Sequence, residues 1–337
     1  MISRFFHAWE HRLASATPDR RVRPFEWGVD WLPLNGAGAL PDRERVERYV
    51  ADVMRDTQAF FTPAPTSDYE FDGSVLRFPS ALVTPHRENN LVAARWFPAR
   101  QKAGAARRAV LVLPQWNSDE QGHVGLARLL ARFGISALRM SLPYHDVRMP
   151  RELTRADYIV SSNVVRTIQV CRQAVLDARR AIAWLADHGF ERIGILGTSL
   201  GSCLAMLTAA HEPLVRAQAL NHVSPWFADV VWRGLSTRHV REGLDGHVDL
   251  EHLRHLWRPI SPWSYLDRVR NTRTLLVYAQ YDLTFPVDLS RTLIEEFARR
   301  GLPHEVAMLP CGHYSTGNVP FKFFDGYVLT RFLRSSV

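Results

Sequence analysis

Between Glu191 and Ala205 the chain runs from a short apolar segment, Ile193-Gly194-Ile195-Leu196, through Gly197-Thr198-Ser199-Leu200-Gly201 into Ser202-Cys203-Leu204-Ala205. This spacing predicts a buried strand, a sharp turn and a helix that starts near Leu200. A turn this tight holds its central residue in a strained backbone conformation and lifts the side chain clear of the sheet edge. Glycines two positions to either side let the strand and helix pass close together. The N–H of Leu200, at the helix N-terminus, then faces the place where an oxyanion would form on a group attacked by Ser199. Everything else in the chain has to supply a base, an acid and a second oxyanion donor.

The surrounding pattern agrees with a sheet that carries helices. Ala109-Val110-Leu111-Val112-Leu113 is a continuous apolar strand, followed by a helix over residues 122–133 and a strand over 136–141. A long helix over 163–188 precedes the strand of the turn. Helix 200–211, strands 217–223 and 274–279, helix 289–300, strand 305–309 and helix 321–333 complete the series. Apolar strands alternating with amphipathic helices mean βαβ units and a mainly parallel sheet covered on both faces. Upstream, residues 3–13 and 41–61 read as helices, and residues 74–78 and 91–97 as an antiparallel pair at a sheet edge. The chain therefore divides into an N-terminal helical extension, residues 1–66, and an α/β domain, residues 67–337. One insertion interrupts that domain, at residues 226–271. It is too long for a plain connection and predicts a small helical cap or lid, with Trp226, Phe227, Trp232, Leu235, Leu253, Leu256 and Trp257 as its apolar faces.

Bulk properties narrow the function. The 337 residues are 46% hydrophobic and 23% charged, ordinary for a globular enzyme. The net charge is +8, and only Lys102 and Lys322 among the 42 basic residues are lysines. The arginines are scattered rather than gathered on one arm or face, which argues against a nucleic-acid partner. Three cysteines, Cys171, Cys203 and Cys311, are too few and too far apart for a disulfide framework, and Cys171 and Cys203 read as small buried thiols. No apolar run is long enough to span a bilayer, and residues 1–10 lack the apolar core of a signal peptide, so a cytoplasmic location is expected. The helix over 3–13 sets Phe5, Phe6, Trp9 and Leu13 against Arg4, His11 and Arg12. It either packs on its own domain or touches a membrane surface or partner. His7/His11 and His252/His255 have helical spacing but no third ligand in sight, and no metal is expected.

A serine hydroxyl is a poor nucleophile near neutral pH and needs an imidazole base, itself oriented by a carboxylate. In open parallel sheets such groups sit at the carboxyl ends of strands. Asp282 follows the strand 274–279, while its competitor Asp288 lies after Pro286 and reads as a residue in the first turn of a helix. His313 lies just past the last strand in Pro310-Cys311-Gly312-His313, giving the chain order Ser…Asp…His; His222, at the end of strand 217–223, is the nearest rival.

With these residues the chain resembles the α/β-hydrolase family over residues 109–337, closest to its acetyl-esterase and dienelactone-hydrolase-like members. Pro259-Ile260-Ser261-Pro262-Trp263-Ser264-Tyr265 also resembles a segment common in those members. The resemblance implies the α/β-hydrolase fold with a cap, Ser199 as nucleophile, Asp282 as acid and His313 as base. Where family members usually carry His-Gly after the first parallel strand, this chain has Pro114-Gln115-Trp116. Alignment makes the Trp116 N–H the second oxyanion donor, with Gln115 as the alternative. Tyr144 and His145, in the loop after the next strand, and Trp226 of the cap are expected substrate contacts. The expected activity is hydrolysis of a small carboxylic ester through an acyl-enzyme on Ser199, with no cofactor. A thioesterase or peptidase using the same triad, or an inactive hydrolase-fold binding or scaffold protein, are the alternatives.

Overall fold

The computed structural model describes residues 2–17, 19–33, 40–100 and 104–337. Lys102 and part of the polar stretch that precedes the first parallel strand fall outside them. The chain starts with α1 (Ile2–Ala14), α2 (Asp42–Arg55) and α3 (Thr57–Phe60). A meander follows: β1 (Glu70–Phe71), β2 (Val75–Pro79) and β3 (Leu91–Phe97), paired antiparallel. The parallel series is β4 (Arg108–Leu113), α4 (Val124–Arg132), β5 (Ser136–Met140), α5 (Val164–Asp187), β6 (Arg192–Thr198), α6 (Leu200–His211) and β7 (Val215–Asn221). Three short helices, α7 (Phe227–Arg233), α8 (Arg238–Leu244) and α9 (Leu250–Leu256), occupy most of the long insertion. The chain closes with β8 (Arg273–Ala279), α10 (Val287–Arg299), β9 (His304–Leu309) and α11 (Phe321–Ser336).

The nine strands among the described residues form one sheet in the order β1-β2-β3-β5-β4-β6-β7-β8-β9, parallel from β5 to β9. Because strand side chains alternate, the continuous apolar run of β4 divides between two cores. Leu111 and Leu113 join the face covered by α5 and α6, while Val110 and Val112 join the face covered by α4 and α11. A strand apolar at every position is what burial on both faces requires.

The helix expected over 41–61 is two helices. Asp56 adopts a non-helical conformation (φ −140°), and its carboxylate accepts the Ala59 N–H at 2.9 Å, restarting the chain as α3. An aspartate offering its own side chain to the backbone breaks a helix in this way. The strand expected over 217–223 begins at Val215 and ends at Asn221. His222 therefore lies beyond the sheet ladder, at φ 60°, which matters for the site.

One buried ion pair ties the loop after β5 to α5. Arg148 and Asp177 are both fully buried and meet at 2.9 Å (Nη2 to Oδ2). Asp177 also accepts from Ser80 Oγ and Ala81 N, and Arg148 donates to the carbonyls of Asn89 and Ser141. Removing one partner leaves an uncompensated buried charge, an effect of about 3–5 kcal/mol. Asp177→Ala is thus expected to lower the urea midpoint substantially without altering the slope of the transition.

Candidate active site

The turn after β6 has the geometry the sequence demands. Ser199 sits at φ 56°, ψ −119°, a strained conformation for a residue with a Cβ. A Cβ on Gly197 would lie 2.0 Å from the Gly201 carbonyl oxygen, and one on Gly201 would lie 2.3 Å from the Leu113 carbonyl oxygen. Both positions have to be glycine. The Ser199 N–H bonds to the Asn221 carbonyl at 2.7 Å, and Ser202 Oγ donates to the Ser199 and His222 carbonyls, so β7 holds the turn in place.

From Ser199 a chain of hydrogen bonds leads inward. Ser199 Oγ is 3.1 Å from His313 Nε2, and His313 Nδ1 is 3.0 Å from Asp282 Oδ2. Asp282 is placed by the turn after β8, where its Oδ1 accepts the N–H groups of Thr284 (2.8 Å) and Phe285 (2.7 Å). Its Oδ2 takes a second imidazole, His222 Nδ1, at 2.9 Å. The strand-end position of His222 was the signal for it. What the sequence did not disclose is that both histidines would converge on one carboxylate. Asp288, the rival acid, is an exposed partner of Arg233 at the start of α10.

Burial alone would raise the Asp282 carboxyl. The His313 charge and the hydrogen bonds from His222 and His313 outweigh it and hold the group well below the usual carboxylate range. Burial would likewise depress His313, but the Asp282 carboxylate, with a smaller contribution from Glu10, lifts its pKa above the ordinary value. His222 moves the other way: burial, then repulsion from His313, lowers it. A neutral His222 donating through Nδ1 leaves His313 as the ring that takes up a proton. His222, Asp282 and His313 also bring one ligand atom each within 4.8 Å of one another, a spacing that a metal ion could use.

Two cavities meet at Ser199. The narrower has a volume of about 40 Å³ and is walled by Leu200, Trp226, Phe227, Val230, Val231 and Phe285. The wider, about 910 Å³, has a mixed lining: Gln115, His123, Asn221, His222, His313 and Asp325 together with Leu126, Leu129 and Phe323. Thr17 and Arg20, from the segment after α1, line it too. Asn221 Nδ2 donates to Asp325 Oδ2 at 3.1 Å, while burial pushes the Asp325 carboxyl up to about 7. Trp116 touches both cavities. Its indole N–H bonds to the Ala156 carbonyl at 2.9 Å, and its ring stacks on His239. The backbone N–H groups of Gln115, Trp116 and Leu200 have no hydrogen-bond acceptor among the described residues.

Tyr144 and His145, expected at the site, line neither cavity, and both are fully buried. The Tyr144 hydroxyl is hydrogen-bonded to His86 Nδ1 at 3.0 Å. His145 Nε2 accepts the Asn117 N–H at 3.0 Å, and burial lowers its pKa to about 4, which keeps the ring neutral. Asn117 Oδ1 in turn accepts the Ala156 N–H at 2.8 Å. The loop after β5 thus turns inward, and His145 braces the Gln115–Asn117 loop from behind. Trp226, the third expected contact, does line the apolar cavity and packs on Trp263.

No protein-family model matches the sequence, and no curated protein does. Solved structures do match. An acylaminoacyl peptidase from Pyrococcus horikoshii is similar with a TM-score of 0.60 at 14% identity, over 81% of this chain and 42% of that one. An acetyl xylan esterase from Paenibacillus sp. R4 gives 0.59 at 15%, over 91% of this chain and 98% of that one. A Pyrobaculum calidifontis esterase gives 0.52 at 17%, over 87% and 91%. The fold is the α/β-hydrolase fold. The chain spans about two-fifths of the peptidase's length and nearly the whole of each esterase. Within the hydrolase fold the long insertion lies between β7 and β8, and it supplies Trp226, Phe227, Val230 and Val231 to the apolar cavity. No helix among the described residues is long and apolar enough to cross a membrane.

Proposed function

We propose that the protein is a serine hydrolase that cleaves a carboxylic ester with a short acyl chain through an acyl-enzyme on Ser199. The observation that carries this reading is the Ser199–His313–Asp282 hydrogen-bond chain where two cavities meet, a narrow apolar one and a wide one of mixed lining. Ser199 Oγ attacks the ester carbonyl as His313 Nε2 takes its proton; Asp282 fixes the His313 tautomer and stabilises the imidazolium. The N–H groups of Leu200 and Trp116 hold the tetrahedral oxyanion, with Gln115 N–H beside them, an effect of about 3–4 kcal/mol per donor. His313 then protonates the leaving alcohol, which departs, and water resolves the acyl-enzyme.

Cavity chemistry orients the substrate. His313 lines the wide cavity and not the narrow apolar one, so the alcohol it protonates leaves through the wide side. The acyl chain occupies the apolar pocket. That pocket is small, about 40 Å³ against about 910 Å³ for the wide cavity, which suits a short chain. Acetyl to butyryl esters are therefore expected to give the highest kcat/KM in a p-nitrophenyl ester series, with a fall of tenfold or more by octanoyl. A flat profile out to long chains would contradict the assignment of this pocket. The same series extended to a thioester and an anilide of the preferred acyl group separates esterase from thioesterase and peptidase.

The pH dependence follows from His313, which must be neutral to accept the Ser199 proton. Because Asp282 raises its pKa, the acid limb of kcat/KM is expected above the ordinary histidine value of about 6.5, with activity rising as pH rises through the limb. A limb below that value would mean that Asp282 does not hold its charge beside the ring.

A further inference from the structure

We propose that the N-terminal helix belongs to the catalytic apparatus, with Glu10 as the positioning residue for the loop that carries His313. This rests on the reading of Ser199 and His313 as nucleophile and base. Glu10 is fully buried and has no cationic partner among the described residues. An unpaired buried carboxylate is costly by several kcal/mol unless hydrogen bonds satisfy it. Those bonds come from the two residues after His313: Tyr314 N–H to Oε2 at 2.8 Å and Ser315 N–H to Oε1 at 2.9 Å. Each oxygen takes one amide, so the carboxylate closes on two successive peptide units like a clasp.

The residue before His313 completes the arrangement. A Cβ on Gly312 would lie 2.3 Å from Glu10 Cδ and 2.5 Å from Oε1. Only glycine there allows the carboxylate its present position. The Gly312 N–H also donates to Ser315 Oγ at 2.8 Å, closing the loop on itself. His313 is thus bracketed on both sides by residues in contact with Glu10. The same helix reaches the acid loop as well: Phe6 stacks on Tyr281, next to Asp282, with ring centroids 4.5 Å apart and planes within 7°. Phe6 and Trp9 pack on Phe321 of α11. One helix therefore sets the distance between the two loops that must meet at His313 and Asp282.

Charge adds to geometry. The titratable groups facing His313 are Asp282, His222, Tyr314 and Glu10, with Arg20 beyond, donating to the Tyr314 hydroxyl. Glu10 supports the imidazolium alongside Asp282, and removing its charge moves the His313 pKa down.

The test uses the full chain. Wild-type protein is first shown to turn over a short-chain p-nitrophenyl ester and to be phosphonylated on Ser199. Glu10→Gln keeps the shape but replaces one acceptor with a donor and removes the charge. It is expected to lower kcat by about 10- to 100-fold, as small misplacements of a catalytic group do. KM stays within twofold, and the acid limb of kcat/KM moves to lower pH. Gly312→Ala, which pushes the carboxylate off the loop with Glu10 chemically intact, is expected to reproduce both changes. Arg12→Gln, on the exposed face of α1, is expected to change neither. Melting temperatures taken in parallel separate positioning from unfolding. If Gly312→Ala keeps the wild-type kcat and pH profile, the proposal is overturned, whether or not Glu10→Gln folds. A folded Glu10→Gln with wild-type kcat and limb overturns it equally. A wild-type protein that neither hydrolyses the ester nor takes the label brings down the hydrolase reading and this proposal with it.

Discussion

Ser199→Ala is expected to lower kcat/KM for a short-chain p-nitrophenyl ester by about 10⁴- to 10⁶-fold, the range seen when an activated serine is removed from a hydrogen-bonded triad. The structure also predicts what this change leaves intact. Among the described residues the only hydrogen bond of the Ser199 hydroxyl runs to His313 Nε2, and the turn itself is held by the Ser199 N–H on Asn221 and by Ser202 Oγ on two carbonyls. Alanine keeps all of those, so thermal unfolding should move by no more than a degree or two, the equivalent of about 1 kcal/mol. A large loss of activity at unchanged stability is the signature of a reacting group. If instead activity and melting temperature fell together, Ser199 would be acting as part of the turn and not as the nucleophile.

Asp282→Asn carries the second large effect. The carboxylate receives four hydrogen bonds, two from backbone N–H groups on Oδ1 and two from imidazoles on Oδ2. An amide in its place presents N–H groups to at least one of these donors, and His313 is driven toward the wrong tautomer. The loss in kcat is expected to be about 10⁴-fold. Asp288→Asn is the matched control, since Asp288 meets Arg233 at the surface, where an exposed pair contributes about 0–1 kcal/mol. It should retain near-wild-type kinetics. Full activity in Asp282→Asn together with loss in Asp288→Asn would reverse the choice of acid. His222 enters here too. Its bond to Oδ2 is part of what keeps the Asp282 carboxyl ionised, so His222→Phe is expected to weaken catalysis far less than Asp282→Asn, chiefly by loosening the carboxylate.

What the sequence disclosed follows from which forces act locally. Gly197 and Gly201 are visible because close backbone approach leaves no other residue possible, and Asp282 and His313 are visible because strands end just before them. The parallel sheet was legible from the continuous apolar run of β4 and its counterparts, which only burial on both faces explains. The failures share a cause as well. Asp56 ends α2 through a side-chain bond to its own backbone, a local competition that the apolar periodicity of residues 46–54 masks. Tyr144 and His145 stand at the carboxyl end of a strand, where a site residue is expected. A loop there has an inner and an outer side, however, and only tertiary packing decides that they brace Asn117 and His86. His222 meets Asp282 across 60 residues, and Glu10 meets Tyr314 across 304. No pattern within either segment encodes a contact of that kind. The Glu10 carboxylate is taken up by backbone amides from the far end of the chain.

The central claim is that Ser199 is a nucleophile activated by His313. Its most direct measurement is reaction of the folded protein with a fluorophosphonate, followed by peptide mapping. A single adduct on Ser199 is expected, formed faster as pH rises through the His313 limb and lost on prior denaturation. Folded protein that carries no adduct on Ser199, or carries it equally well after denaturation, would contradict that claim.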